Sequence, residues 1–162
     1  MNDTRRQARE WAVQMLVAAD LNPPESPAAA ISAFWETLAT MDEEDGGCAR
    51  VRARARKFAE ERVEGVLATL PELDAALERL LDNWELWRLG TVERAVLRLG
   101  AWEMLHGGVP CPVAINEAID ISNWFSSPRS RSIVNGVLDK FAKTLASPKA
   151  PATARKGRDG IR

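Results

Sequence analysis

Apolar residues recur every three or four positions in seven separate segments of this 162-residue chain. That period lines them up along one side of an α-helix, whereas a half-buried strand would need strict alternation. The last segment shows the pattern most clearly, with apolar side chains at Val134, Val137, Leu138, Phe141 and Leu145. Such a stripe needs a packed partner, so the chain is predicted to be all-α with seven helices.

Prolines, glycines and acidic residues separate the segments and set the expected helix ends. Pro27 and Pro71 are expected to open helices two and four, because the first turn does not need the missing N–H of proline. Thr91 is expected to cap the fifth helix, which ends at Gly107 and Gly108. The predicted helices cover residues 3–20, 27–38, 48–70, 71–81, 91–106, 113–125 and 134–145.

The overall charge is nearly balanced, with 22 basic and 23 acidic side chains. A nucleic-acid role would therefore depend on where the basic residues lie and not on bulk charge. Residues 147–162 are basic and have no apolar repeat to offset the entropy of ordering them. We expect one helical domain over residues 1–146 and a disordered basic tail at 147–162.

The cellular compartment is indicated by what the sequence lacks. No apolar run approaches the roughly 20 residues needed to span a bilayer, and residues 1–10 are polar. The two cysteines, Cys48 and Cys111, have no CxxC partner, so neither a disulfide framework nor a zinc site is indicated. These features predict a cytoplasmic protein with no membrane role.

Catalytic chemistry has little support in the sequence. The only histidine, His106, lies beside the glycines that end helix five, where capping or packing is favoured over catalysis. Phosphate-binding and dinucleotide-binding glycine loops and an HExxH pattern are lacking. The acidic residues 42–45 do not have the alternating spacing of a calcium loop. The chain is therefore predicted not to be an enzyme and to need no metal or cofactor.

Three arginines near the N-terminus form the first candidate site. Arg5 and Arg9 are four positions apart and share a helical face, which Arg6 flanks. Guanidinium groups bind phosphate through two hydrogen bonds and stack on unpaired bases. Positive charge near a helix N-terminus opposes the helix dipole, which suggests a role other than helix stability. On the residues alone, RNA contact and a solvated face are equally open.

Two other basic groups are weaker candidates. Arg129 and Arg131 lie in a predicted loop before the last helix, and they would extend an RNA surface only if that loop lies beside helix one. A second group alternates along helix three, so it is expected to spread around the helix as a solvated face. Its members are Arg50, Arg52, Arg54, Arg56 and Lys57.

Asn116 and Asn135 fall within apolar helical segments, where an amide is costly unless it is hydrogen-bonded. Both are therefore predicted to be buried amides that fix the packing register. Gly136 is predicted to mark a point where another helix approaches closely, since it has no side chain.

Five of the six tryptophans fall into two groups by position. Trp35 and Trp102 fit the spacing of core residues. Trp84, Trp87 and Trp124 lie at predicted helix ends, where an indole could anchor a partner surface.

Four stretches, taken together, resemble the NusB family of transcription antitermination proteins, and their order and spacing match it across most of residues 5–143. They are Arg5-Arg6-Gln7-Ala8-Arg9-Glu10 with 12–16, residues 92–100 with 103–105, Val109-Pro110 with 113–119, and residues 133–140. The resemblance implies an all-helical fold of two docked bundles, three helices and then four. The two subdomains would cover about residues 1–70 and 71–146.

The resemblance also implies a function. The family's members bind boxA-type single-stranded RNA of nascent ribosomal RNA together with NusE, a small-subunit ribosomal protein, and link it to RNA polymerase. The implied RNA-binding residues are Arg5, Arg6, Arg9, Gln14, Phe125, Arg129, Arg131 and Ile133. The implied partner-binding residues are Leu80, Trp84, Trp87, Arg88, Glu93 and Trp102. An unfilled docking face would be partly apolar, so a homodimer stays open.

Three positions depart from the family pattern. Val17 stands where the family often has a tyrosine, Arg129 where some members are acidic, and Ile133 where phenylalanine is usual. These changes replace stacking by charge, so we expect RNA binding that depends more on salt and is less selective for sequence.

Two alternatives remain at this stage. One is a helical protein-interaction module whose arginines are solvated. The other is the NusB-like domain of a ribosomal RNA cytosine methyltransferase, which would need a further α/β domain with a nucleotide-binding glycine loop. We do not expect that domain here, because it would not fit within the 162 residues.

Overall fold

The computed structural model describes residues 2–41, 49–82, 85–125 and 127–146. Within these ranges the chain forms seven α-helices, one short 3₁₀ turn at Leu86–Arg88 and no strand, which confirms the all-α prediction. The helices are α1 (Asn2–Leu21), α2 (Pro27–Met41), α3 (Ala49–Ala68), α4 (Leu70–Glu78), α5 (Thr91–Leu105), α6 (Cys111–Phe125) and α7 (Pro128–Ala146).

Helix α5 is central to the packing. It contacts α1, α3, α4, α6 and α7, while α2 packs on α1 and α3. Ala8 and Ala12 of α1 are fully buried, as are Ala59 and Val63 of α3. Small side chains let two helix backbones approach closely, so α1 and α3 form a tight pair against which α5 is laid.

Two helices begin at a Ser-Pro pair, and of the two prolines only Pro27 was predicted to open a helix. Ser26 Oγ accepts a hydrogen bond from the backbone N–H of Ala29, and Pro27 opens α2. In the same way Ser127 Oγ accepts from the N–H of Ser130, and Pro128 opens α7. The predicted loop at Arg129 is therefore wrong, because the serine cap extends α7 back to Pro128.

The predicted cap of α5 is also wrong by one residue. Gly90 is the N-cap, with extended backbone angles (φ −61°, ψ 155°), and Thr91 is already helical. The carbonyl oxygen of Gly90 accepts the first helical hydrogen bond, from the N–H of Arg94, at 3.0 Å. No side-chain hydrogen bond caps this end, so the threonine hydroxyl that motivated the prediction has no capping role there.

The predictions for Asn116, Asn135 and Gly136 are wrong. Both asparagines are exposed, on the solvent sides of α6 and α7. Gly136 is exposed too, and a Cβ added to it would meet nothing within 4 Å. Their apolar neighbours face the core, but a residue one position away along a helix points about 100° away from them.

Some predictions concern residues outside the described ranges. They include those for Cys48, the acidic residues 42–45, Trp84 and the tail at 147–162. Within the part of the chain that is described, no helix is long and apolar enough to cross a membrane.

Candidate nucleic-acid interface

Arg9 lies inside the protein, unlike the exposed arginine that its position in the sequence suggested. Its Nε is 2.8 Å from Glu103 Oε1 and its Nη2 is 3.0 Å from Glu103 Oε2. Arg62 of α3 donates to the same carboxylate, from Nε to Oε1 at 2.9 Å. Glu103 is 1% exposed. Arg9 therefore joins α1 to α5 and does not face solvent.

Burial has an electrostatic cost for this cluster, which holds two guanidinium groups and one carboxylate. Burial lowers the pKa of Arg62 below its usual range, and the charge and hydrogen bond of Glu103 oppose that change. The cluster is stable only because each buried charge has a partner. Removing the carboxylate would leave two buried cations facing each other.

Arg6 fastens α1 to α6. Its Nη2 donates to Asp120 Oδ2 at 2.7 Å, and its Nε is 3.4 Å from Glu117 Oε2. The hydrogen bond to Glu117 raises the pKa of the Arg6 guanidinium, so this group is always charged. The side chain is 37% exposed, which leaves part of it open to a ligand.

Arg5 is the exposed member of the three arginines. Its Cζ lies 5.9 Å from the ring centroid of Phe58, and no described carboxylate forms an ion pair with it. Gln14 is also exposed, farther along α1. Arg5 and Gln14 thus offer one guanidinium and one amide to a ligand, from opposite sides of α1.

The second predicted RNA-side region is the junction of α6 and α7. Phe125 is 42% exposed at the end of α6, and Arg129 is exposed in the first turn of α7. Arg131 Nη1 donates to Asn123 Oδ1 at 2.7 Å, which orients its guanidinium. Ile133 is half-buried and packs on the core, so little of it faces solvent.

Arg129 and Arg131 lie at the positive end of the α7 dipole, where the first turn holds no acidic side chain to offset them. Basic residues at that end weaken a helix slightly, but together with the dipole they attract an anion. The positive charge at this junction therefore favours phosphate binding and does not stabilise the helix.

The two RNA-side regions are linked through α6. Asp120, which pairs with Arg6, precedes Phe125 by five residues, or about 7.5 Å along the helix axis. Neither Glu117 nor Asp120 was predicted from the sequence to contact the arginines of α1. Their spacing of three residues matches that of Arg6 and Arg9, and this is the only signal that could have suggested the contact.

Among the described residues, the predicted partner-binding side chains do not form one patch. Trp87 is 66% exposed, with the guanidinium of Arg88 over its ring at 5.3 Å. Arg94 Nη1 donates to the carbonyl oxygen of Trp87 at 2.9 Å, which fixes the 3₁₀ turn beside α5. Leu80 is half-buried against the core, and Glu93 accepts a hydrogen bond from Ser130 of α7.

Trp102 lies away from this turn, near the other end of α5. It is half-buried and packs on Gly65 of α3, where even a methyl group would overlap the indole. Its position fits the core role that its spacing predicted and separates it from Trp87. His106 ends α5, and its Nε2 is 3.4 Å from Glu72 Oε2.

The family to which this chain belongs is identified by its similarity to known proteins. The sequence profile of the NusB family matches residues 6–143. The chain belongs to the NusB family. A transcription antitermination protein NusB from Wolinella succinogenes is 38% identical over 142 residues, which cover 88% of this chain and 96% of that protein. Membership confirms the family resemblance and the expectation of a non-enzymatic factor.

Solved structures of NusB proteins have the same fold. T. maritima NusB superimposes with a TM-score of 0.70 at 30% identity, covering 86% of this chain and 90% of that one. A chain in the crystal structure of the antitermination factors NusB and NusE in complex with double-stranded RNA matches with a TM-score of 0.71 at 25% identity. That match covers 89% of this chain and 99% of the other.

Proposed function

We propose that this NusB-family protein is a cytoplasmic antitermination adaptor that binds boxA-type single-stranded RNA of nascent ribosomal RNA together with NusE and links it to RNA polymerase. The observation that carries the proposal is the pair of contacts from Arg6 to Glu117 and Asp120. They hold the arginine-rich helix α1 beside α6, so the α6–α7 junction and α1 can serve one RNA strand.

Each side chain has a role that its chemistry supports. Arg5 and Arg129 are exposed cations that would contact phosphates. The exposed ring of Phe125 would stack on a base, and the amide of Gln14 would donate to or accept from a base edge. Arg9 would act indirectly, because its ion pair with Glu103 fixes the position of α1.

NusE would bind at the 3₁₀ turn that precedes α5. The turn at Leu86–Arg88 offers Trp87, a large exposed indole beside a guanidinium, which is the residue type that most often dominates a protein interface. Solved NusB relatives support this assembly, since one was crystallised with NusE and RNA. In that complex the RNA is double-stranded, so the preference for a single strand is part of the proposal.

The test compares two double variants that each remove two positive charges. One is Arg5→Ala with Arg129→Ala, and the matched control is Arg54→Ala with Lys57→Ala, both exposed on α3. Arg9 is left intact, because its loss would disturb the core. We would measure the Kd for a boxA RNA and a scrambled RNA, with and without NusE. Wild type and control should prefer boxA more strongly with NusE, and the site variant should lose that preference.

A salt titration completes the test. Removing one phosphate interaction should reduce the slope of log K against log salt by about 0.7 for a single strand. A flat slope in the wild type would contradict a charge-driven RNA interface. If neither RNA binds even with NusE, the protein-interaction module is the better description.

A further inference from the structure

A groove of about 470 Å³ lies between α1, α2 and α3, on the far side of α1 from α6. Its walls are two tryptophans, two arginines and three small or aliphatic residues. They are Trp11, Trp35, Leu38, Ala39, Arg52, Ala53 and Arg56. The volume falls in the range of about 300 to 1,000 Å³ that small-ligand sites occupy.

The arginines of α3 are arranged differently from what the sequence predicted. A solvated face spread around the helix was expected for the whole basic group. Arg52 and Arg56 are four residues apart, however, so both line the groove, while Arg54 does not. The groove therefore has two cations on one wall.

The aromatic wall is held rigidly in position. The rings of Trp11 and Trp35 meet edge to face, with centroids 5.2 Å apart. Trp35 Nε1 donates to Glu60 Oε1 at 2.8 Å, which fixes the indole and engages that carboxylate. The Arg56 guanidinium lies over the Trp35 ring, with Cζ 4.6 Å from the centroid. A stacked guanidinium loses little entropy when it binds a ligand.

This combination of groups selects a class of ligand. Indole rings and a guanidinium plane stack on planar rings, and two arginines attract a phosphate. A nucleotide has both features, since a base and a phosphate are joined by one sugar.

The groove is continuous with the proposed RNA surface through α1. At 100° per residue, Gln14 and Gln7 lie between Arg6 and Trp11 around the helix axis, and both glutamines are exposed. A strand that crosses the solvent face of α1, about 10 Å wide, would pass from the α6 side to the groove over Gln7, Gln14 and the carboxylate of Glu10, which Gln7 Nε2 contacts at 3.5 Å. This continuity favours RNA over a peptide as the occupant.

We propose that the groove between α1, α2 and α3 binds a nucleotide of single-stranded RNA that flanks the boxA segment. Its phosphate pairs with Arg52 and Arg56, and its base stacks against Trp11 and the Arg56 guanidinium. The inference rests on the proposed RNA-binding function and adds a second contact region to it.

The experiment compares a boxA RNA of about 12 nucleotides with the same RNA extended by about eight nucleotides at each end. The extension should improve wild-type Kd about tenfold, the effect expected from one stacked base with its phosphate. Arg52→Ala with Arg56→Ala should abolish that gain and leave binding of the short RNA unchanged. Arg54→Ala with Lys57→Ala, the charge-matched control on the same helix, should keep the gain.

A third variant separates stacking from charge. Trp11→Leu should reduce the gain while leaving the salt slope as in wild type, and thermal unfolding would verify that it still folds. The groove assignment is overturned if the extension brings no gain in wild type, or if the groove variant behaves like its control. It is also overturned if the groove variant weakens NusE binding and not RNA binding. If wild type binds neither RNA with NusE, the proposed function itself fails.

Discussion

Arg9 of α1 and Glu103 of α5 form a two-point ion pair in the core, although 94 residues separate them in the chain. Arg62 of α3 shares the carboxylate, so one side chain of α5 fixes two helices. Of the two arginines that share this face of α1, Arg9 therefore stabilises the fold, whereas Arg5 is open to a ligand.

Replacing Glu103 by glutamine is expected to destabilise the protein by about 3 to 5 kcal/mol. Arg62 would lose its buried counter-charge, and Arg9 would keep only the longer contact to Glu117, at 4.0 Å. Urea denaturation would measure the change in the free energy of unfolding. Glu61→Gln, which removes the carboxylate of an exposed pair with Lys57, should change it by less than about 1 kcal/mol. Equal effects of the two substitutions would show that the buried cluster contributes no more to the free energy of unfolding than the exposed pair does.

Two glycines should respond oppositely to alanine. At Gly65 the new methyl group would overlap the indole of Trp102, so Gly65→Ala should cost about 1 to 3 kcal/mol. At Gly136 the methyl group meets nothing, and Gly136→Ala should stabilise α7 by about 0.5 to 1 kcal/mol. Thermal unfolding of both variants measures the contrast. A stabilised Gly65→Ala would mean that Trp102 moves aside freely.

Asp20 should make stability depend on acid pH. Burial favours its neutral form, but hydrogen bonds from Arg94 and Arg98 outweigh burial and hold the pKa of Asp20 below its usual value. An aspartate of lowered pKa stabilises the fold above its unfolded pKa of about 3.9, and that contribution is lost as pH falls through the folded pKa. Wild type should therefore exceed Asp20→Asn in stability at neutral pH.

Urea titrations from pH 7 down to pH 3 would follow the stability difference between wild type and Asp20→Asn. It should be constant near neutrality and shrink once the pH falls below about 4. A difference that stays unchanged down to pH 3 would refute the role of the Arg94 and Arg98 contacts.

Trp87 should be a main contact for NusE. Trp87→Ala is expected to weaken NusE binding about thirtyfold, the effect typical of an exposed tryptophan that becomes buried at the centre of an interface. Trp124→Ala removes an even more exposed indole at the end of α6 and should leave NusE affinity unchanged. Calorimetric titration of NusE into each variant distinguishes the two surfaces. Similar weakening at both positions would place NusE elsewhere.

The helices were predictable from the sequence because their causes are local. Apolar spacing, Ser-Pro starts and glycine ends all act within a few residues, so seven helices and most of their ends could be read directly. The errors were local as well. The start of α7 was missed because the cap at Ser127 was read as a loop, and Asn135 was assigned to the core from its apolar neighbours.

The fate of each arginine depended on the tertiary structure. Arg5 and Arg9 share a face of α1, yet Arg5 is exposed and Arg9 is buried. The difference comes from Glu103, whose carboxylate lies where α1, α3 and α5 meet. Local sequence was enough to specify most of the helical residues and that arginines cluster on α1. The packing of distant helices then settled which charges are neutralised inside, because the cost of burying a charge depends on partners far away in the chain.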